Sequence, residues 1–214
     1  NPDYPLVSIT GIRGTGKTIL ALAVGRQLLL EKQHPFSDGI WFISLEEIEN
    51  DNLEKIKNSI ATFVGQAMGL HFHSESALWP QLLAQIATKQ TLLILDNIEQ
   101  FLTIASDLIL ELLEVGDGIH LLTTSRTTMA VPSSITLPLS GLEVPTEPWD
   151  AVLQNESVRL FAERAARTPT PFNLEKHLPE VVAICQFVEG LPLGIELAAA
   201  SLGRLMIDEI LLAL

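Results

Sequence analysis

The chain has 214 residues, a formal net charge of -13 and 47% apolar side chains, enough to bury roughly 70% of its unfolded surface as one domain with a small appendage. Such an acidic balance, with a pI near 4.7, argues against a broad face gripping a phosphodiester backbone, an attraction supplied by Lys and Arg, so no nucleic-acid binding is expected of this region. The single cysteine, Cys185, rules out an internal disulfide, no Cys/His cluster has metal spacing, and no run approaches the ~20 apolar residues of a membrane span.

A reducing, cytoplasmic setting without membrane contact is therefore expected, and the start, Asn1 to Pro5, lacks the regions of a signal peptide. Mean hydropathy is +0.32. With the apolar end Ile210 to Leu214, it reads as a piece of a longer protein whose apolar surface meets other segments.

Leu6 to Thr10 is a short apolar run that predicts a strand. It leads into Gly11-Ile12-Arg13-Gly14-Thr15-Gly16-Lys17-Thr18, which fits G-x-x-x-x-G-K-[ST]. Glycines let successive backbone N–H groups turn toward a phosphate with no Cβ in the way. Lys17 then reaches the β- and γ-phosphates and Thr18 offers a hydroxyl to Mg²⁺. The helix that begins there, continuing through Ile19, points its positive end at the same anion. The candidate nucleotide-binding residues are Gly11, Ile12, Arg13, Gly14, Thr15, Gly16, Lys17, Thr18 and Ile19.

The helix is expected to run to about Lys32, and Ile40 to Ser44 reads as a second strand, which implies a right-handed parallel crossover. Asp51 to Met68 carries apolar residues at three- and four-residue spacing and predicts an amphipathic helix. His71 and His73 fall in a polar loop before a helix over about Ala77 to Thr88. Thr91 to Asp96 follows, an apolar strand ending in a carboxylate. Ligands bind at the carboxyl edge of an open α/β sheet, and Asp96 there suits Mg²⁺. Asn97 and Glu99 come next, with Glu99 the rival metal ligand. A helix over about Gln100 to Val115 leads to a strand, Ile119 to Thr124, ending in Ser125-Arg126 at the same edge, where Arg126 can sense a γ-phosphate. Ser134 to Leu137 is a fifth strand.

The predicted fold is α/β, a P-loop NTPase with a five-stranded parallel sheet flanked by helices, followed by a small helical subdomain. Its expected domains are 1–139 for nucleotide binding, a proline-rich acidic linker at 140–154, and 155–214 for the helices. Helices are predicted over about Glu156 to Arg167, Glu175 to Glu189, Leu193 to Leu205 and Asp208 to Leu214, with Asn155 and Asp208 as N-caps. Pro192 suits the first turn after Gly190-Leu191.

These blocks resemble the signal-transduction ATPases with numerous domains (the STAND class), in particular the branch with the NB-ARC nucleotide-binding module. The resemblance rests on the glycine-rich loop, Gly39 to Leu45, Leu92 to Glu99, Leu121 to Arg126, Ser157 to Phe161, and Cys185 through Ala200. It implies a switch in which ADP holds a closed monomer and exchange for ATP opens it for self-oligomerisation. Sensor and effector domains would lie outside this chain. By resemblance Lys17, Asp96 and Arg126 serve catalysis, Thr18 and Asp96 hold Mg²⁺, and Pro192 packs on the adenine of ATP or ADP. Asn97 stands where many relatives carry a second acidic residue, which implies slow hydrolysis. Guanine nucleotides are disfavoured because no Asn-Lys-x-Asp segment follows the loop. A transporter subunit is disfavoured because Leu139 to Glu143 matches its signature only partly and follows Asp96. A work-performing AAA+-like ATPase and a nucleotide-free scaffold remain as alternatives.

Overall fold

The computed structural model describes residues 4–49, 52–74, 76–129, 131–132, 134–145 and 149–214. Asp51, the expected start of the second helix, and Thr146, Glu147 and Pro148 of the expected linker lie outside them. Two compact units form, one of Asn1–Gly11 with Lys17–Pro138, the other of Ile12–Gly16 with Leu139–Leu214. No described helix is long and apolar enough to cross a membrane.

The first unit is built on a five-stranded sheet. Its strands are β1 (Leu6–Thr10), β2 (Ile40–Ser44), β3 (Thr91–Asp96), β4 (Ile119–Ser125) and β5 (Ser134–Pro138), in the order β2-β3-β4-β1-β5. Every pairing is parallel. Every residue of β3 is buried, which is what an unbroken apolar run requires of a central strand covered on both faces. The helix α1 (Lys17–Leu30) connects β1 to β2, α2 (Leu53–Met68) and α3 (Leu78–Ile86) connect β2 to β3, and α4 (Leu102–Glu114) connects β3 to β4. Leu93 and Leu95 of β3 share one core with Ile56, Ile60 and Val64 of α2 and Leu108 and Leu112 of α4. Each such side chain contributes at most about 1.5–3 kcal/mol by leaving water. α1 lies close on the sheet at Gly25, where a Cβ would come within 2.8 Å of Ile94 Cδ1.

Helix boundaries follow local chemistry. α2 starts after Asn52, whose side chain accepts the Lys55 N–H, and stops at Gly69 in left-handed backbone with φ +66°. α4 begins later than its apolar spacing suggests. Asn97, at φ +70°, turns the chain out of β3 into a 3-10 turn over Ile98–Phe101 that buries Ile98 and Phe101.

The second unit contains a 3-10 turn, Trp149–Gln154, and helices α5 (Glu156–Ala165), α6 (Leu178–Phe187), α7 (Pro192–Ser201) and α8 (Ile207–Ala213). Val158, Phe161, Val181, Cys185, Ile195 and Ile210 form its core. Asn155 caps α5 as expected, accepting from the Ser157 and Val158 N–H groups. Asp208 does not cap α8. Met206 holds that position and Asp208 lies in the first turn, because the Glu209 carboxylate reaches back to accept the Met206 N–H at 2.8 Å.

Gly190 separates α6 from α7. Its φ is +67°, and a Cβ there would lie 2.0 Å from the Leu142 carbonyl oxygen. Leu142 N–H donates to Gly190 O at 2.8 Å. Only glycine permits that approach, and Pro192 then opens α7 with its ring in place of an N–H that has no helical partner.

Candidate functional site

The parallel register decides which residues meet at the carboxyl edge. Thr10 pairs with Ser125, Leu95 with Thr123, and Ser44 with Asp96. The residues leaving β1, β3 and β4 therefore emerge side by side, where ligands bind in such sheets. Gly11 N–H donates to Ser125 O at 3.2 Å, carrying the ladder one residue past β1 before the loop departs.

The loop takes the shape its glycines allow. Gly14 and Gly16 have φ of +88° and +91°, which a Cβ would strain. A Cβ on Gly16 would meet nothing within 4 Å, so open space lies before that backbone, as a phosphate cradle requires. Thr15 is buried and its hydroxyl donates to Ile12 O at 3.0 Å, closing the loop on itself. Gly14 O accepts the Leu193 N–H at 3.2 Å within the second unit. Ile12, Arg13 and Ile19 are exposed. Pro192 is half-buried at the first position of α7.

Lys17 is buried, and its ammonium donates to Gly11 O at 2.8 Å. Burial lowers its pKa from the usual lysine value. The charges of Glu99 and Asp96 oppose that shift and that of Arg126 adds to it, with Glu99 the stronger attraction. Lys17, Asp96, Glu99 and Arg126 thus form one electrostatic cluster in the first unit.

Asp96 is 6% exposed. Its Oδ1 accepts the Thr18 hydroxyl at 2.8 Å and the Thr124 hydroxyl as well. The Thr124 oxygen in turn accepts the Asn97 N–H at 3.0 Å. Two hard oxygens at this spacing match neighbouring ligand positions on octahedral Mg²⁺, which lie about 2.9 Å apart for bonds of ~2.05 Å. Among the described residues no group of three His, Cys, Asp or Glu could hold a metal. The donor set therefore fits an ion that takes one or two protein oxygens and completes its shell with phosphate and water. His71 and His73 are exposed in their loop.

Arg126 donates through Nε to Glu99 Oε1 at 2.8 Å, with the arginine side chain 57% exposed and that of Glu99 only 6%. Among the described residues Glu99 Oε2, which is buried, has no hydrogen-bond partner. Two features escape sequence reasoning, the hold of Thr124 on Asp96 and the pairing of Glu99 with Arg126. The signal for the first is Thr123-Thr124-Ser125, three buried hydroxyls ending a strand that is otherwise apolar but for His120.

A parallel sheet of this order, a glycine-rich loop after its first strand and a carboxylate ending β3 define the class: the chain has the P-loop NTPase fold, with a helical appendage. The fold resembles that of the ORC2 protein of Aeropyrum pernix, solved in ADPNP–ADP complexes, at TM-score 0.59 and 15% identity, over 97% of this chain and 60% of that one. It also resembles CDC6P of Pyrobaculum aerophilum, at TM-score 0.55 and 14% identity, over 92% of this chain and 53% of that one. No family model matches the chain.

Two curated relatives match most of the chain. Rv0890c of Mycobacterium tuberculosis strain H37Rv, provisionally named an HTH-type transcriptional regulator, is 30% identical over 196 residues, which are 91% of this chain and 20% of that protein. Rv0894 of the same strain, an uncharacterized protein, is 30% identical over 213 residues, 99% of this chain and 49% of that one. The chain thus spans a fifth to a half of the length of these relatives.

Proposed function

We propose that this chain is the adenine-nucleotide switch module of a multidomain regulatory ATPase, of the STAND type its motifs resemble. The observation that carries the reading is the Thr18–Asp96 contact at 2.8 Å beside the buried Lys17. It joins the end of the phosphate loop to the end of β3, so one Mg²⁺–phosphate unit can engage both. When bound, Mg²⁺ neutralises phosphate charge and polarises the γ-phosphate. Thr18 and Asp96 would hold it, directly or through its waters. Lys17 pairs with the β- and γ-phosphates, the loop N–H groups of Gly14 to Lys17 surround the β-phosphate, and Arg126 reads the γ-phosphate. Pro192 is the candidate adenine contact.

A switch differs from a motor in its slow turnover, and Asn97 in place of an acidic neighbour to Asp96 supports slow hydrolysis. That one relative carries a transcriptional-regulator name supports a regulatory setting, with self-oligomerisation through segments beyond this chain. The likeness to ORC2 and CDC6P supports a second reading, a work-performing AAA+-like ATPase. Calorimetric titration with ADP, ATP and GTP, together with turnover assays, tests both. Tight ADP binding with little turnover supports the switch, fast multiple turnover supports the motor, and no binding overturns both. Lys17→Ala should weaken ATP by at least tenfold, since a charge-assisted hydrogen bond contributes about 1.5–3 kcal/mol. A change below about fivefold would remove Lys17 from the site.

A further inference from the structure

Hydrolysis requires an acceptor for the proton of the attacking water, and the position next to Asp96 does not supply one. Asn97 carries an amide, its backbone is left-handed at φ +70°, and its N–H is tied to Thr124. Asp96 Oδ1 is taken up by two hydroxyls. Glu99 is placed differently. It is more than nine-tenths buried, Oε1 is held by Arg126 Nε at 2.8 Å, and Oε2 has no partner among the described residues. A buried carboxylate oxygen without a partner is costly and calls for an explanation.

Its surroundings supply one. The Glu99 charge acts on the Lys17 ammonium more strongly than that of Asp96 does, and Arg126 acts on the same ammonium. Geometry places it at the same edge: Lys17 donates to Gly11 O, Gly11 N–H donates to the carbonyl of Ser125, and Arg126, the next residue, holds Glu99. Among the described residues Arg126 makes no hydrogen bond beyond the one through Nε. Its two terminal nitrogens remain for an anion while Nε holds the glutamate.

Resting on the ATP-hydrolysing reading above, we propose that Glu99 Oε2 orients and deprotonates the attacking water, and that Arg126 couples this carboxylate to the γ-phosphate. In the step, the water oxygen forms a bond to the γ-phosphorus and its proton passes to Oε2. The bond from that phosphorus to the β–γ bridging oxygen breaks, and the electron pair leaves on ADP. The products are ADP and inorganic phosphate, the proton returns to solvent, and no electrons are exchanged with any other group. The base thus sits three residues beyond the metal-binding aspartate, on the 3-10 turn that the left-handed Asn97 creates, rather than next to it. Arg126 makes the arrangement responsive, since the same guanidinium that contacts the γ-phosphate fixes Oε1.

The test uses the purified protein, single-turnover hydrolysis of ATP and titration with fluorescent ADP and ATP. Glu99→Gln keeps shape and a weaker contact to Arg126. It should lower the hydrolysis rate by a hundredfold or more while shifting both nucleotide dissociation constants by less than threefold. Glu99→Asp keeps the charge on a shorter arm. It should hydrolyse ATP faster than Glu99→Gln and slower than the unsubstituted protein, an ordering that a purely structural ion pair would not produce, and it serves if the Gln variant fails to fold. Arg126→Gln should slow hydrolysis and weaken ATP more than ADP. If unsubstituted protein binds ATP without hydrolysing it, or Glu99→Gln hydrolyses it at an equal rate, the assignment of Glu99 is overturned and nucleotide binding stands. If ATP does not bind at all, the nucleotide reading itself falls.

Discussion

Thr124→Val isolates one hydroxyl at the centre of the site. Valine keeps the branched shape of threonine in β4, so no cavity opens, but two hydrogen bonds disappear. The Asp96 carboxylate loses a buried donor, and the Asn97 N–H loses its acceptor at 3.0 Å. A hydrogen bond to a charged group contributes about 1.5–3 kcal/mol, and a fully buried N–H without a partner costs about 1–3 kcal/mol, an upper bound for the half-buried Asn97. The two losses share one atom and do not simply add, so the expected destabilisation is about 2–4 kcal/mol. That is a large share of the 5–15 kcal/mol typical of a domain. Urea unfolding followed by circular dichroism measures it, with Thr124→Ser as the control that keeps the hydroxyl and loses a methyl. The valine variant should unfold at lower urea with an unchanged slope, and serine should lose clearly less. A loss below about 0.5 kcal/mol for valine, or equal losses for both variants, would show that the hydroxyl is not what holds Asp96 and the turn after it.

Two further outcomes follow from the same geometry. Asp96→Asn should weaken Mg²⁺-dependent ATP binding by about tenfold or more while changing Mg²⁺-free ADP binding far less, because the lost charge matters where the metal must be held; titrations with and without chelator decide, and a larger loss from Glu99→Gln in both would move the metal to Glu99. Burial pushes the Cys185 thiol up to about 11 from 9.0, so at pH 8.5 its thiolate fraction drops from about a quarter to below about 1%, and reaction with Ellman's reagent should be at least ~50-fold slower in the folded protein than in urea. The sign for stability follows: the folded pKa is the raised one, so this contribution is complete below about pH 9 and is lost as pH rises toward 11. Labelling within tenfold of the unfolded rate would show that the α6 core opens readily.

The central strands β1, β3 and β4 were legible because their burial is two-sided. Thr91 to Asp96 needs only an apolar run and a terminal carboxylate to be read, and each of the five strands starts where the apolar pattern places it. Helix ends depend on single polar contacts. Asn155 and Asp208 look equally suited to capping, yet only Asn155 caps, since whether Glu209 folds back on Met206 depends on the entry of the chain into α8. α1 shows the limit of periodicity: its residues are apolar nearly all round, and Ile19 and Leu30 stand exposed while Ala21 and Gly25 are buried. Asp96, Lys17 and Thr18 could be singled out as candidates from a motif because their spacing is local or ends a strand, and the structure brings Thr18 and Asp96 into contact. The part played by Thr124 could not, since it depends on which strand lies beside β3, a relation between residues 28 apart.

The proposed anion site has to work within an acidic protein. A net charge of -13 opposes the approach of a polyphosphate, so attraction must come from short-range contacts that salt and distance screen little. Lys17 and Arg126 acting on one another would by themselves be repulsive, and burial adds to the cost of charging Lys17. Asp96 and Glu99 offset both effects, which keeps the cation pair in place before any ligand arrives. A γ-phosphate that takes the free end of Arg126 relieves the same repulsion, whereas ADP has no group for it. On the proposed reading, discrimination between the two nucleotides would follow from the cluster of four charges, and Arg126, which would sense the third phosphate, is the residue that holds the Glu99 carboxylate.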